Sequence, residues 1–207
     1  MAKVKISGIT NYDDALDAVN LGADFLAFCF IRDCSKKISD KLAADIISKL
    51  PPFVSCVGVF NNEEEKIIAK TIKKCNLKNV QLNGNESAQF CQNIGSAYGV
   101  KVFKRIKIDD ETSLPQLQSY VSNADYFIID ASYAEGEIIK HRYELISKAM
   151  DFKVPIFVCG VGVEDVKEAL EKTSPYGIDA GSRLERLPKR KDYDKMNDFI
   201  RFAHGLK

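Results

Sequence analysis

KVKISGITNYDDALDAVNLGADFLAFCF, residues 3–30, contains two short apolar runs on either side of one amphipathic stretch. The runs at 4–7 and 24–30 are rich in β-branched or aromatic residues, which is typical of buried parallel strands. The stretch between them has an apolar face, with Asn11 as a candidate N-cap and Gly22 as a candidate stop. This segment therefore predicts a strand–helix–strand unit.

The same unit repeats along the chain. Further apolar runs of strand length lie at 53–60, 79–82, 100–106, 125–130, 155–160 and 176–180. Helical patterns separate the runs, at 39–50, 62–74, 86–96, 113–122, 140–150, 162–172 and 191–205. Alternating strands and helices without a linker or a change in composition predict one α/β domain over 1–207, a (β/α)8 TIM barrel. A doubly wound open sheet is the alternative, although the first strand–helix turn, SGITN, lacks a GxGxxG motif.

Composition argues against several classes of protein. The chain has 30 basic and 29 acidic residues, and its net charge of +1 provides no strong field for a nucleic acid or a membrane surface. No run reaches the ~20 apolar residues of a membrane span, and the N-terminus lacks the apolar core of a signal peptide. The six cysteines occur without CxxC pairing. We therefore expect reduced thiols, no metal site and a cytoplasmic protein, and the sequence leaves the oligomeric state open.

In a (β/α)8 barrel the functional site lies at the carboxyl ends of the strands. The polar and glycine residues at those ends are Ser7, Gly8, Asn83, Gly84, Arg105, Asp130, Cys159, Gly160 and the segment 181–183, together with the loop that follows Phe30. These residues are the candidates for substrate binding and catalysis.

Several motifs resemble one family of sugar isomerases. They are KISGIT (5–10), PPFVSCVGVF (51–60), NVQLNG (79–84), FIID (127–130) and IDAGSRLE (178–185). In this order they resemble phosphoribosylanthranilate isomerase of tryptophan biosynthesis. The resemblance implies a (β/α)8 barrel, a small phosphorylated sugar as substrate, and neither a metal nor an organic cofactor.

The resemblance also implies an Amadori rearrangement, in which an N-linked phosphoribosyl aminobenzoate changes from an aldosylamine into a ketose amine. In the family an aspartate protonates the ribose ring oxygen and opens the ring to a Schiff base. A cysteine then removes the C2′ proton, and the resulting enolamine tautomerises to the product. The aspartate position falls on Asp130, and the cysteine position falls on Ser7.

Ser7 is the main departure from the family pattern. A thiol with a pKa near 8.5 provides some thiolate at neutral pH, whereas an alcohol ionises at a pKa several units higher. Each unit corresponds to ~1.4 kcal/mol, so serine is the poorer base by on the order of 5 kcal/mol or more. The sequence places no histidine near a strand end, and so it indicates no partner base for Ser7.

Other site positions also differ. The family arginine that contacts the substrate carboxylate aligns with Lys36, which keeps the charge but not the bidentate geometry, and the family histidine aligns with Asn83. The candidate substrate-binding residues are Lys36, Asn83 and Arg105. The family holds the phosphate with backbone N–H groups after strands 7 and 8. Here those loops contain Cys159, Gly160, Gly181, Ser182 and Arg183, and the guanidinium could bind phosphate as a cation.

Three hypotheses follow. A working isomerase would use Asp130 as the acid, with Ser7 or a relocated thiol such as Cys159 as the base. A degenerate or repurposed paralogue would bind a phosphorylated sugar with little or no isomerase activity, since the departures cluster at strand ends. An engineered serine would leave the other departures unexplained, among them the sequence of 131–143.

The segment LERLPKRKD (184–192) predicts an entry into the last helix.

Overall fold

The computed structural model describes residues 1–108, 110–130 and 137–206, without the side chains of 137–141. In this part of the chain eight parallel strands close into a barrel in chain order, which confirms the predicted fold. The barrel strands are β1 (Lys3–Ser7), β2 (Phe25–Cys29), β3 (Ser55–Phe60), β4 (Asn79–Leu82), β5 (Lys101–Ile106), β6 (Tyr126–Asp130), β7 (Ile156–Cys159) and β8 (Gly177–Ala180). The helices are α1 (Tyr12–Leu21), α2 (Asp40–Lys49), α3 (Glu65–Cys75), α4 (Ala88–Tyr98), α5 (Pro115–Tyr120), α6 (Glu137–Ala149), α7 (Val166–Thr173) and α8 (Tyr193–Ala203).

The ends of α1 are those that the sequence predicts. The Asn11 side chain accepts a hydrogen bond from the Asp14 backbone N–H at 2.9 Å, which caps the first turn. Gly22 has a left-handed backbone, and its N–H closes the last turn on the carbonyls of Ala18 and Val19. The first strand–helix–strand unit is therefore encoded locally.

Side chains fill the interior of the barrel. Phe25 packs edge-on against Phe103 and Phe157, with ring centroids 5.6 and 5.5 Å apart. These rings lie in an apolar cluster with Val57 and Ile128. The rings fill the amino half of the interior, and Lys5, in register with Phe25 on the neighbouring strand, is a buried polar residue at the same level.

The fifth helix is shorter than predicted. The sequence predicts a helix over 113–122, whereas α5 is preceded by a 3₁₀ turn at Glu111–Ser113. The Asp110 side chain accepts from the Thr112 backbone N–H and caps that turn, and Pro115 then suits the first turn of a new helix. No helix in the described ranges is both long and apolar enough to cross a bilayer.

The segment 184–192 differs from the prediction. It forms an antiparallel hairpin of β9 (Glu185–Leu187) and β10 (Arg190–Lys191), and only Asp192 caps the last helix. The buried Lys191 Nζ donates to the carbonyls of Ser7 at 2.7 Å and Gly181 at 2.9 Å. A local helix pattern could not show this hairpin because its anchor is a contact with the ends of two barrel strands.

Candidate active site

The carboxyl ends of the barrel strands surround a cavity of about 390 Å³. The predicted site residues all line this cavity: Ser7, Lys36, Asn83, Arg105, Asp130, Cys159, Gly160, Gly181, Ser182 and Arg183. Two larger hollows, of about 480 and 510 Å³, lie at the amino ends of the strands, and no predicted site residue lines either of them. The fold therefore brings residues from seven strands or their following loops into one place.

Asp130 is the last residue of β6 and is mostly buried. Its carboxylate forms an ion pair with the Arg105 guanidinium from β5. Its backbone carbonyl accepts a hydrogen bond from Arg142 Nη1 at 2.9 Å. The loop that follows, 131–136, lies outside the described residues, so the segment 131–143 that departs from the family pattern is described only from residue 137, in α6.

Ser7 lies in a polar cluster that the sequence analysis did not predict, with a lysine and a carboxylate rather than a histidine as its partners. Ser7 Oγ donates to Asp179 Oδ1 at 2.5 Å. Lys5 Nζ donates to Ser7 Oγ at 2.8 Å and to Asp179 Oδ2 at 2.7 Å. The sequence contained a signal for this cluster. Lys5 and Asp179 are opposite charges within two apolar runs, and the first and last strands of a closed barrel are neighbours.

Lys36 forms one wall of the cavity. Its stem crosses Gly8, where an added Cβ would lie only 2.5 Å from Lys36 Cδ. Gly8 also has a φ of +75°, which side-chain-bearing residues rarely adopt. Lys36 Nζ lies 3.4 Å from Glu185 Oε1 of the hairpin. Gly8 therefore makes both the turn after β1 and the room for this ammonium group.

Asn83 is joined to a residue that the sequence analysis did not select. Gln81 Nε2 donates to Asn83 Oδ1 at 2.8 Å. Gln81 is 5% exposed, and its Oε1 has no hydrogen-bond partner among the described residues. Because a buried polar atom without a partner is costly, Gln81 Oε1 is a candidate acceptor for a hydrogen bond from a bound ligand.

Arg183 joins the two loops that the sequence predicts to bind phosphate. Its guanidinium pairs with Glu164 and with Asp165, the latter at 2.8 Å, and both carboxylates follow β7. The arginine passes so close to Gly162 that an added Cβ there would lie 2.4 Å from Arg183 Nε. In the structure as described, the guanidinium is therefore neutralised by protein carboxylates.

Two of the cysteines that line the cavity, Cys29 and Cys159, are poor candidates for a thiolate base. Burial raises the pKa of the Cys159 thiol well above its ordinary value, and the nearby carboxylates of Asp130 and Asp179 raise it further. Burial, together with a hydrogen bond to Cys34, raises the pKa of Cys29 to about 12. Both thiols therefore stay protonated at neutral pH, which weakens the hypothesis of a relocated thiol base.

Comparison with known proteins identifies the family. The family model for N-(5′-phosphoribosyl)anthranilate (PRA) isomerase matches residues 4–201. The chain belongs to the phosphoribosylanthranilate isomerase family. Among curated isomerases of this name, that of Pelobacter propionicus is 37% identical over 98% of this chain and 96% of its own length. That of Geotalea uraniireducens is 36% identical over the whole of both chains.

Solved structures of isomerases from this family share the fold. The crystal structure of the Thermotoga maritima phosphoribosylanthranilate isomerase has a TM-score of 0.91 and 33% identity over the full length of both chains. A phosphoribosylanthranilate isomerase in complex with reduced 1-(o-carboxyphenylamino)-1-deoxyribulose 5-phosphate has a TM-score of 0.89, also at 33% identity and full coverage. The family indicated by the sequence motifs is thus confirmed.

Family membership does not by itself account for the polar cluster of this phosphoribosylanthranilate isomerase homologue. The motif at 5–10 aligns Ser7 with the family cysteine. The contacts of Ser7 with Lys5 and Asp179, and of its carbonyl with Lys191, appear only in the folded chain. These three residues therefore have to be considered in any account of the reaction.

Proposed function

We propose that the chain catalyses the Amadori rearrangement of N-(5′-phosphoribosyl)anthranilate, a step of tryptophan biosynthesis, in the cytoplasm and without a cofactor. The observation that carries the proposal is the position of Asp130, which lies beside the same cavity as Ser7 and the two predicted phosphate loops. Family membership over residues 4–201 supports the reaction class. The relatives named above share this one activity, so they give the paralogue hypothesis no support.

The charges of the cavity suit such a substrate, which carries a carboxylate and a phosphate. Lys36, Arg105 and Arg183 supply three cationic side chains around the cavity. Lys36 binds the substrate carboxylate, and the loops after β7 and β8 bind the phosphate through backbone N–H groups. Arg183 adds its charge at those loops, and the ligand phosphate competes with Glu164 and Asp165 for the guanidinium.

Asp130 acts as the general acid at the ribose ring oxygen. Its carboxyl group pairs with the Arg105 guanidinium, and a general acid donates a proton to the oxygen of the bond that breaks. Substrate binding at Arg105 draws the guanidinium away from the carboxyl group of Asp130, which then donates its proton to the ring oxygen. In this way ring opening is coupled to the presence of substrate.

The test is turnover of N-(5′-phosphoribosyl)anthranilate by purified protein, together with complementation of a tryptophan auxotroph. Asp130→Asn should lower kcat by about 10²–10⁴-fold, the usual contribution of a general acid, and leave substrate binding largely intact. Asp125→Asn is a matched control, because Asp125 pairs with Lys101 at the amino end of the barrel. Turnover by Asp130→Asn within a few-fold of the unmodified protein would refute the acid assignment. Tight substrate binding without turnover by the unmodified protein would favour the paralogue instead.

A further inference from the structure

The cluster of Lys5, Ser7 and Asp179 joins the two strands that close the barrel, and its two charged members are buried. Lys5 pairs in register with Asp179 across β1 and β8. Lys5 is fully buried, and Asp179 is 5% exposed. Ser7 lies two residues beyond Lys5, so both side chains point to the same face of β1, and the hydroxyl lines the cavity. The cluster therefore extends from the barrel interior to the cavity wall.

The donors and acceptors of this cluster determine where the proton of the Ser7 hydroxyl lies. A lysine ammonium has only N–H donors, so Ser7 Oγ must be the acceptor in its 2.8 Å contact with Lys5. The serine proton then lies in the 2.5 Å contact with Asp179, whose ionised carboxylate only accepts. The Ser7 hydroxyl is thus positioned to pass its own proton to Asp179. Its second lone pair receives no hydrogen bond from any other described residue.

We propose that Asp179 accepts the C2′ proton of the substrate through the hydroxyl of Ser7. This proposal rests on the proposed function and deepens it, because it supplies the base that the serine lacks. Ser7 Oγ takes the C2′ proton while its own proton moves to Asp179. The electron pair of the C2′–H bond forms the C1′=C2′ double bond, and the π electron pair of the C=N bond moves to nitrogen, which gives the enolamine.

The later steps restore the starting protonation states. The proton on Asp179 returns through Ser7 to C1′ as the enolamine tautomerises. The 2′-hydroxyl loses its proton, which reaches Asp130 directly or through water and restores the acid. No oxidant, reductant or co-reactant is needed. A carboxylate is a sufficient base for this type of step, since carboxylates remove protons next to carbonyl groups in other sugar isomerases.

Other groups near Ser7 fit this role less well. The Cys159 and Cys29 thiols stay protonated for the reasons given above. Lys191 contacts the Ser7 carbonyl rather than its hydroxyl. Lys5 is engaged by Asp179 and donates to the hydroxyl, so it can stabilise negative charge on Oγ during transfer. Lys5 is therefore a positioning residue, and Asp179 is the proton acceptor.

The test compares Asp179→Asn in two backgrounds, the unmodified protein and Ser7→Cys, with N-(5′-phosphoribosyl)anthranilate as substrate. With serine at position 7, Asp179→Asn should lower kcat by roughly a hundredfold or more with little change in KM. With cysteine at position 7, Asp179→Asn should lower kcat by less than about fivefold, because the thiol can ionise without a partner base. Ser7→Ala should lower kcat as much as Asp179→Asn does. The double variant Ser7→Ala/Asp179→Asn should lower kcat no further than either single substitution.

Deuterium at C2′ separates a chemical role from a structural one. If Asp179 accepts this proton, Asp179→Asn should enlarge the kinetic isotope effect in the serine background but not in the cysteine background. Asp24→Asn is the control, because Asp24 pairs with Lys3 of the same strand outside the site. It should alter neither kcat nor the isotope effect.

Asp179→Asn leaves the buried Lys5 without its counter-ion, which destabilises the fold, so a second variant removes both charges. Lys5→Met/Asp179→Asn removes both charges at similar volume and is measured in the same two backgrounds; its loss of kcat with serine should be at least that of Asp179→Asn and should again exceed the loss with cysteine. An equal loss in the two backgrounds, or full activity of Ser7→Ala, would overturn the proposal. If the unmodified protein turns over substrate and the loss in Asp179→Asn does not depend on Ser7, the relay is wrong and the proposed function stands. If the unmodified protein does not turn over substrate, both fall, even if Ser7→Cys is active.

Discussion

Lys191 provides a test of the hairpin that supports the candidate site. Its side chain is 1% exposed, and its ammonium group binds the carbonyls at the ends of β1 and β8. Burial lowers the pKa of Lys191 from 10.5 to about 8, although Glu185 opposes this change. We predict that the contribution of Lys191 to the free energy of unfolding increases as the pH is raised.

The sign follows from proton binding. Between about pH 8 and pH 10.5 the unfolded chain retains a proton on this lysine that the folded protein has released. Stability rises with pH wherever the unfolded state binds more protons. At ~1.4 kcal/mol per pH unit, the whole interval corresponds to about 3 kcal/mol. Below pH 8 both states are protonated, and the burial cost of the charge is present in full.

The assay is urea unfolding followed by far-UV circular dichroism at about pH 7.5 and about pH 10. It compares the unmodified protein with Lys191→Met, which removes the titrating group but keeps an unbranched side chain. Groups that titrate in both proteins cancel in the comparison. The stability advantage of the unmodified protein should grow by about 2–3 kcal/mol between these pH values.

Lys73→Met is the matched control, because Lys73 is exposed on α3. Its stability difference from the unmodified protein should not change with pH over this interval. The reasoning would be refuted if the advantage of the unmodified protein over Lys191→Met stayed constant or decreased as the pH was raised.

The remaining predictions concern the cavity wall and the phosphate loops. Gly8→Ala should destabilise the protein by ~1–3 kcal/mol and raise KM, since the new Cβ meets Lys36 at a positive φ. Gly99→Ala, at a φ of +60° in open space, should cost stability without affecting KM, and equal KM values for the two variants would contradict this account. Arg183→Ala should weaken competitive inhibition by inorganic phosphate roughly tenfold, whereas Glu164→Gln should strengthen it. Unchanged inhibition in Arg183→Ala would reject a phosphate-binding role.

Local sequence patterns were sufficient for the elements of the barrel. The first unit illustrates the reason, since Asn11 and Gly22 cap α1 through contacts with residues only a few positions away. Strand positions were also visible, because a strand buried on both faces is a continuous apolar run. The bounds of α5 were predicted less accurately, because the Asp110 cap forms a 3₁₀ turn over Glu111–Ser113 and the helix begins only at Pro115.

The candidate site was predictable only in part. By itself the sequence determined the repeat of strands and helices, and it placed Asp130 and Ser7 at strand ends. Only the tertiary structure decided the partners of Ser7. Asp179 lies 172 residues away along the chain, and it reaches Ser7 because β8 closes against β1. Lys191 reaches the Ser7 carbonyl across 184 residues. A local sequence pattern indicates which side chains are buried, whereas closure of the barrel determines which of the buried side chains contact each other.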